Sequence, residues 1–303
     1  MRNLHRYNNK YGYATVLRRF CAVPESLPVW GEIQHSLFLN TRYFTSDGQI
    51  GPPREQLQRF PRLLSWNTLL PFPHQVPIGD PLWYFLARED STTWPQVSEG
   101  PHPPVVVMPK LNDEVEFSER LSHYEMVTRE AGEKHPGLPL IVSLHPREAR
   151  HREEIDRRLG DVAHLLWREG QDHLSDLRWS LALISQAQAV VSDYFGAHAF
   201  RATAFFGTPV TLIGGSSLDN PGFHETMRPR LFDFLDADGD VRSQREIAEQ
   251  LLGKSHQRPV DELTNIMGFT GVKKILGRPV RALYKTARRR RVHRRQQRGL
   301  QTQ

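Results

Sequence analysis

From Val105 onward the chain alternates short apolar runs with longer amphipathic stretches, and that alternation predicts strands and helices in turn. VVVM (105–108) reads as a buried strand, followed by a helix with Val115, Leu121, Tyr124 and Val127 or Thr128 on one face. LIVSL (140–144) is the next strand. The stretch after it, REARHREEIDRRL, carries charges at i,i+4 spacing that fit an exposed helix. VAHLLW (162–167) is a third strand with LSDLRWSLALIS as its helix, AVV (189–191) a fourth and VTLI (210–213) a fifth. A helix near 244–252 closes the unit. Strands separated by helices are the signature of βαβ units and a parallel sheet, so this part predicts a complete Rossmann-like lobe.

The first hundred residues are less regular. GYATVLRRFC predicts a short helix, PVWGEIQH a strand, LLSW and QVPIG two more, and PLWYFLARED a helix. That is too little for a second full Rossmann lobe, and a reduced or truncated one is expected. STTWPQVSEGPHPP (91–104) has the Pro, Gly and Ser density of a linker. The division expected is therefore 1–95, 96–255 and a basic helical tail at 256–303.

Composition sharpens this picture in one place. The formal charge of +6 hides an asymmetry: 272–303 holds 12 Lys or Arg and no acid, and the rest of the chain holds 28 basic and 34 acidic residues. The body is acidic and the tail alone is basic. A single cysteine, Cys21, excludes an internal disulfide and a cysteine-built zinc site. With no apolar leader at the start and no run near the roughly 20 apolar residues of a spanning helix, a cytoplasmic protein is expected.

Three turns carry candidate chemistry. In an open parallel sheet, ligands bind beyond the carboxyl ends of the strands. The stretch VVSDYFGAHAFRATAFFGTPV (190–210) places Ser192, Asp193, Gly196 and His198 between a strand and a helix start, where free N–H groups and the helix dipole suit a phosphate. Gly196 there would permit close approach, and His198 would add a donor. LHPRE (144–148) offers His145 and Arg147 at another strand end, and Lys110 follows the first strand of the unit. In WGEIQHS (30–36), Glu32 and His35 stand three apart, and a histidine titrating near neutrality can take a proton from a hydroxyl. Each turn also has a plain structural reading, as a cap or a backbone-bonded side chain. The sequence contains no HExxH, no acid cluster with ligand spacing, no GxxxxGK and no GxGxxG, so neither a metal nor a nicotinamide or P-loop cofactor is expected.

With these residues in view, the chain resembles the GT-B superfamily, two Rossmann-like lobes facing a cleft, which includes nucleotide-sugar glycosyltransferases and CDP-glycerol glycerophosphotransferases. The likeness runs over about residues 12–214 and lies in WGEIQHS, LHPRE, VVSDYFGAHAFRATAFFGTPV and QVPIGDPLWYF. It implies that His145, Ser192, Asp193 and His198 surround a nucleotide diphosphate and that His35, with Glu32 beside it, is the base or acceptor-side group. It makes 1–95 the acceptor-side lobe and 96–255 the nucleotide-binding one. The activity implied is metal-independent transfer of a glycosyl or glycerophosphate group from a nucleotide-diphosphate-linked donor to a surface polysaccharide or lipid-linked acceptor. Glu225, in GGSSLDNPGFHETMRP, would then accept hydrogen bonds from the donor ribose. The chain departs from the pattern in two places. Phe195 and Gly196 stand where glycerophosphotransferases of this type usually carry serines, which disfavours that donor, and His35-Ser36 replaces a first-lobe His-Gly. A nucleotide-sugar epimerase of the same architecture, which needs carboxylates in the cleft, and a non-catalytic scaffold are the competing readings.

The tail is open to two readings, a solvated charge run and a membrane-surface contact. Val272, Ile275, Leu276, Val280, Leu283, Tyr284 and Ala287 fall near helical spacing among the cations. Such a segment suits the anionic inner face of a plasma membrane, with 272–298 as the contact. RRRRVHRR would also neutralise nucleic-acid phosphates, but no aromatic platform or recognition motif accompanies it.

Overall fold

The structure, a computed structural model, describes residues 8, 11–34, 62–69, 75–98, 101–110, 115–167, 172–213 and 227–270. Its organising feature is a five-stranded, wholly parallel sheet. The strands are β4 (Val105–Met108), β5 (Leu140–Leu144), β6 (His164–Trp167), β7 (Ala189–Ser192) and β8 (Val210–Leu212), in the order β6-β5-β4-β7-β8. The chain builds outward from β4 through β5 to β6, then returns to the other side of β4 for β7 and β8. The reversal leaves a crevice between the carboxyl ends of β4 and β7, where Met108 pairs in register with Ser192.

The period-2 geometry of a strand divides β4 between two faces. Val105 and Val107 pack with Val142, Leu144 and Val191 beneath α3 (Phe117–Lys134) and α4 (Arg152–Leu159). Val106 and Met108 point the other way, into a core shared with α5 (His173–Ser185), α6 (Ala197–Phe206) and α8 (Val241–Leu251). That second core continues into the first hundred residues. It takes in α1 (Tyr13–Phe20) and a small parallel sheet of β1 (Glu32–Ile33), β2 (Leu63–Ser65) and β3 (Gln75–Pro77), in sequential order, through Leu17, Ile33, Leu64 and Ile78. The predicted strand 28–35 contracts to two residues, because Gly31 takes a positive φ of 145° just before it.

The smaller sheet is tied to the end of α8 by hydrogen bonds to backbone carbonyls. α2 (Pro81–Leu86) starts at Asp80, whose N–H donates to Leu252 O at 2.8 Å, and Asn67 Nδ2 donates to Leu251 O at 2.5 Å. Gly253 sits at φ 66°, and a Cβ there would lie 1.7 Å from Trp66 O. Only glycine permits an approach that close.

Two expectations need correction. α7 (Arg228–Asp236) follows the stretch read as a long loop, and its Leu231 and Phe234 are fully buried. The segment assigned to the basic tail from 256 begins with a packed element: α9 (Val260–Ile266) and the residues after it bury Leu263, Met267 and Phe269, and Trp30 N donates to Met267 O at 3.0 Å. The linker residues are stitched down, with Gln186 bonded to Val97 N at 3.0 Å and Pro95 O at 2.8 Å. Residues 272–298 lie outside the described residues. No helix among the described residues is long and apolar enough to cross a membrane.

Candidate functional site

Side chains converge on the crevice between β4 and β7, because both strands end there and their following turns meet. Asp193, nearly buried, is the centre. Its Oδ1 accepts from the backbone N–H of Lys110 at 2.8 Å and its Oδ2 pairs with His123 Nε2 at 2.5 Å, so one carboxylate ties the turn after β7 to the turn after β4 and to the second turn of α3. The hydrogen bond to Asp193 raises the His123 pKa above its ordinary value, against the opposing effect of partial burial. About a third of the His123 side chain is exposed (36%).

Ser192 has no exposed surface, and its hydroxyl lies 3.1 Å from the carbonyls of both Met108 and Tyr194. It braces the turn from below. His198, in the first turn of the strand-following helix, has Nε2 3.2 Å from Ser192 Oγ and Nδ1 3.3 Å from the Tyr194 hydroxyl. The sequence reading gave Gly196 the task of letting a phosphate approach. In the structure the position of its missing Cβ is taken by His198 Cε1 at 2.3 Å and Tyr194 Cε2 at 2.7 Å, so the glycine serves packing of those two rings. Phe195, where serine was the family expectation, is a core residue stacked near Phe200 with ring centroids 6.2 Å apart.

His145 and Arg147 lie exposed at the end of β5, the strand beside β4. His145 caps a 3-10 turn (Pro146–His151), its Nδ1 accepting from Arg147 N at 3.1 Å. The turn is anchored from beneath by Glu148, which is buried and receives Arg120 Nε at 3.0 Å and the Tyr124 hydroxyl at 3.3 Å. Lys110 is half-buried beside Asp193. Glu32 is buried within β1, and His35 and Glu225 lie outside the described residues. The structure thus brings Lys110, Ser192, Asp193, Gly196 and His198 together, with His145 and Arg147 one strand away. No group of three His, Cys, Asp or Glu side chains able to hold a metal occurs among the described residues.

A second polar cluster links the sheets. Arg201, on α6, donates through Nε to Asp80 Oδ2 at 2.8 Å and through Nη2 to the Tyr13 hydroxyl at 2.5 Å, and its guanidinium lies 5.3 Å from the Trp66 ring centre. Asp80 is wholly buried and also caps α2 by accepting from Leu82 N at 3.0 Å. Burial works against the charge on Arg201, but Asp80 and Tyr13 outweigh it and hold the arginine pKa above its ordinary value. The residues following β2 and β3 therefore meet the helix that starts beside Asp193.

Two parallel sheets, the larger with a strand-order reversal and the smaller packed against the helix that leaves it, define the architecture. The fold is mixed α/β, built on parallel sheets. Solved structures similar to this chain include the S. aureus MnaA–UDP co-structure, with TM-score 0.42 and 12% identity over 64% of this chain and 55% of that one. UDP-GlcNAc 2-epimerase from Neisseria meningitidis bound to UDP-GlcNAc is similar with TM-score 0.41 and 14% identity, over 87% of this chain and 73% of that one. The pneumococcal O-GlcNAc transferase GtfA in complex with UDP and GlcNAc gives TM-score 0.39 and 13% identity, over 78% and 51%. No family model and no curated protein matches the chain.

His123, Glu148 with Arg120, and Arg201 with Asp80 were not singled out from the sequence. Arg120 carried a signal: it occupies the same helical stripe as Tyr124, Val127 and Ala131, all buried, and an arginine on such a stripe needs a buried partner. His123 and Arg201 had none, since their partners lie 70 and 121 residues away in sequence.

Proposed function

We propose that the chain is a metal-independent transferase that holds a nucleotide-diphosphate-linked donor at the carboxyl edge of the larger sheet. The group transferred is a glycosyl unit, and the acceptor a surface polysaccharide or lipid-linked molecule. The observation that carries this reading is the placement of Lys110, Asp193 and His198 at the strand-order reversal, with His145 and Arg147 on the adjacent strand end. That edge offers cations and the start of α6, a setting suited to a diphosphate leaving group. In this reading Lys110, Arg147 and the α6 N-terminus bind the diphosphate, and Ser192 and Tyr194 hold the His198 ring in place. His35 takes the proton of the acceptor hydroxyl, and Glu225 receives the donor ribose. The basic segment 272–298 brings the protein to an anionic membrane surface carrying the acceptor.

Among the described residues, the two carboxylates at this edge favour transfer over epimerisation. Asp193 is held by His123 and the Lys110 N–H, and Glu148 by Arg120 and Tyr124, so each is committed to a structural pairing. The test is a calorimetric titration of UDP, CDP and GDP into the protein and into Lys110→Ala and Arg147→Ala. Saturable binding of one nucleotide, weakened at least tenfold in both variants, is the expected result; each lost charge-assisted contact is worth about 1.5–3 kcal/mol. An intact fold that binds none of the three overturns the reading in favour of a scaffold.

A further inference from the structure

The switch point contains an apparent contradiction. A carboxylate, Asp193, sits at the centre of a crevice otherwise suited to an anion. Left alone, its charge would oppose a diphosphate, and by Coulomb's law a unit charge near a partly buried site is felt over several ångströms. The geometry points to the resolution: His123 and Asp193 form a proton-dependent charge pair that belongs to the phosphate-binding surface, and binding of a diphosphate there requires His123 to be protonated. This rests on the nucleotide reading above and adds a residue and a control to it.

Three observations carry the inference. His123 Nε2 and Asp193 Oδ2 are hydrogen-bonded, and an imidazolium–carboxylate bond is of the charge-assisted kind. The second oxygen of Asp193 is committed to the Lys110 N–H at 2.8 Å, so the carboxylate cannot turn away from the crevice. The His123 side chain is 36% exposed against 4% for Asp193, so the imidazole is the member of the pair that meets solvent and any ligand. Among the described residues, the charged groups facing His123 are Asp193 from the turn after β7, Lys110 from the turn after β4 and Glu130 on its own helix. Asp193 and Glu130 favour the proton, and Lys110 opposes it.

The sign follows. While His123 is protonated the pair is neutral and Lys110 sets the local charge. As pH rises through the raised His123 value, the proton leaves to solvent and Asp193 stays ionised, so the crevice gains one negative charge. The second phosphate ionisation lies near 6, so the charge on the diphosphate of UDP changes little above pH 7. A loss of affinity above pH 7 that Asp193→Asn abolishes then comes from the His123–Asp193 pair.

The experiment is calorimetric titration of UDP into the full chain, wild type, Asp193→Asn and His123→Gln, between pH 7 and 9.5. Wild type should lose about tenfold in affinity across that range, as expected for one unit charge at an effective protein dielectric and several ångströms. Asp193→Asn should bind with a flat profile and match or exceed wild type at pH 9.5. His123→Gln should bind weakly at every pH. A parallel titration of the His123 imidazole by NMR, without ligand, should show a raised value that returns toward the ordinary one in Asp193→Asn. Tight wild-type binding with no pH dependence, or the same dependence in Asp193→Asn, overturns this inference and leaves the nucleotide reading standing. Absence of UDP binding at every pH in folded protein, with pyrophosphate also unbound, overturns both.

Discussion

Two acid–base pairs, Asp80 with Arg201 and Asp193 with His123, stand at ends of the same helix-bearing turn region and do opposite things. Asp80 is wholly buried, Arg201 keeps only 13% of its side chain exposed, and the pair is surrounded by the Tyr13 hydroxyl, the Leu82 N–H and the Trp66 ring. Both Asp80 oxygens and the Nε and Nη2 donors of Arg201 have partners, which offsets the cost of burying the pair. Asp193 is just as constrained, but its partner is a histidine that opens to solvent and titrates. An arginine keeps its charge at any accessible pH, so the first pair fixes the sheets to each other. A histidine can lose its charge, so the second pair can change the potential of the crevice. Permanent charge is used where geometry must not change, and removable charge where a ligand would arrive.

The comparison is best broken by substitution, beginning with the largest effect. Asp80→Ala leaves Arg201 buried and uncompensated and also removes the cap of α2. A loss of about 3–5 kcal/mol in urea unfolding is expected. Gly253→Ala attacks the same junction without touching charge. A Cβ 1.7 Å from Trp66 O cannot be accommodated unless the backbone shifts, and a loss above about 2 kcal/mol is expected. Recovery of the double variant Asp80→Asn with Arg201→Met toward wild-type stability would show that the pair supplies registration more than net stability.

Asp193→Asn should be milder in stability and should show its effect in pH dependence. The folded His123 value is raised above the unfolded one. The stabilisation it provides is therefore complete below the unfolded value of about 6.5 and is lost as pH rises through the folded value. The difference in melting temperature between wild type and Asp193→Asn should shrink between pH 6 and 9. A constant difference would remove His123 protonation from the account. The smallest effect is expected at the exposed pair Arg242–Glu246, where Arg242→Ala should change stability by about 0.5 kcal/mol or less.

How much of this was legible from the sequence differs between the two sheets. The larger sheet was readable because buried parallel strands leave unbroken apolar runs such as VVVM and LIVSL, and helices leave a stripe of period 3.6. The smaller sheet has strands of two or three residues, too short to show a period, and its stability comes from Trp66, Ile78 and Leu252 meeting across the junction. The α7 helix was missed because Arg228, Pro229 and Arg230 give it a turn-like opening, although a proline in the first turn is compatible with helix. At the strand ends, the motifs mark the turns that meet in the crevice but not what each residue does there. Ser192 and Gly196 proved to be internal supports, which no spacing rule distinguishes from ligand contacts. His123 depends on a contact 70 residues distant, and long-range pairing leaves no local signature.

The central claim is that the crevice between β4 and β7 binds a nucleotide diphosphate. Hydrogen exchange measured by mass spectrometry on the full chain, with and without saturating UDP, tests it most directly. The account predicts added protection in the peptides covering 108–110 and 193–199, with a smaller gain at 145–148. Protection confined to other segments, or no change at UDP concentrations up to the millimolar range, would contradict it.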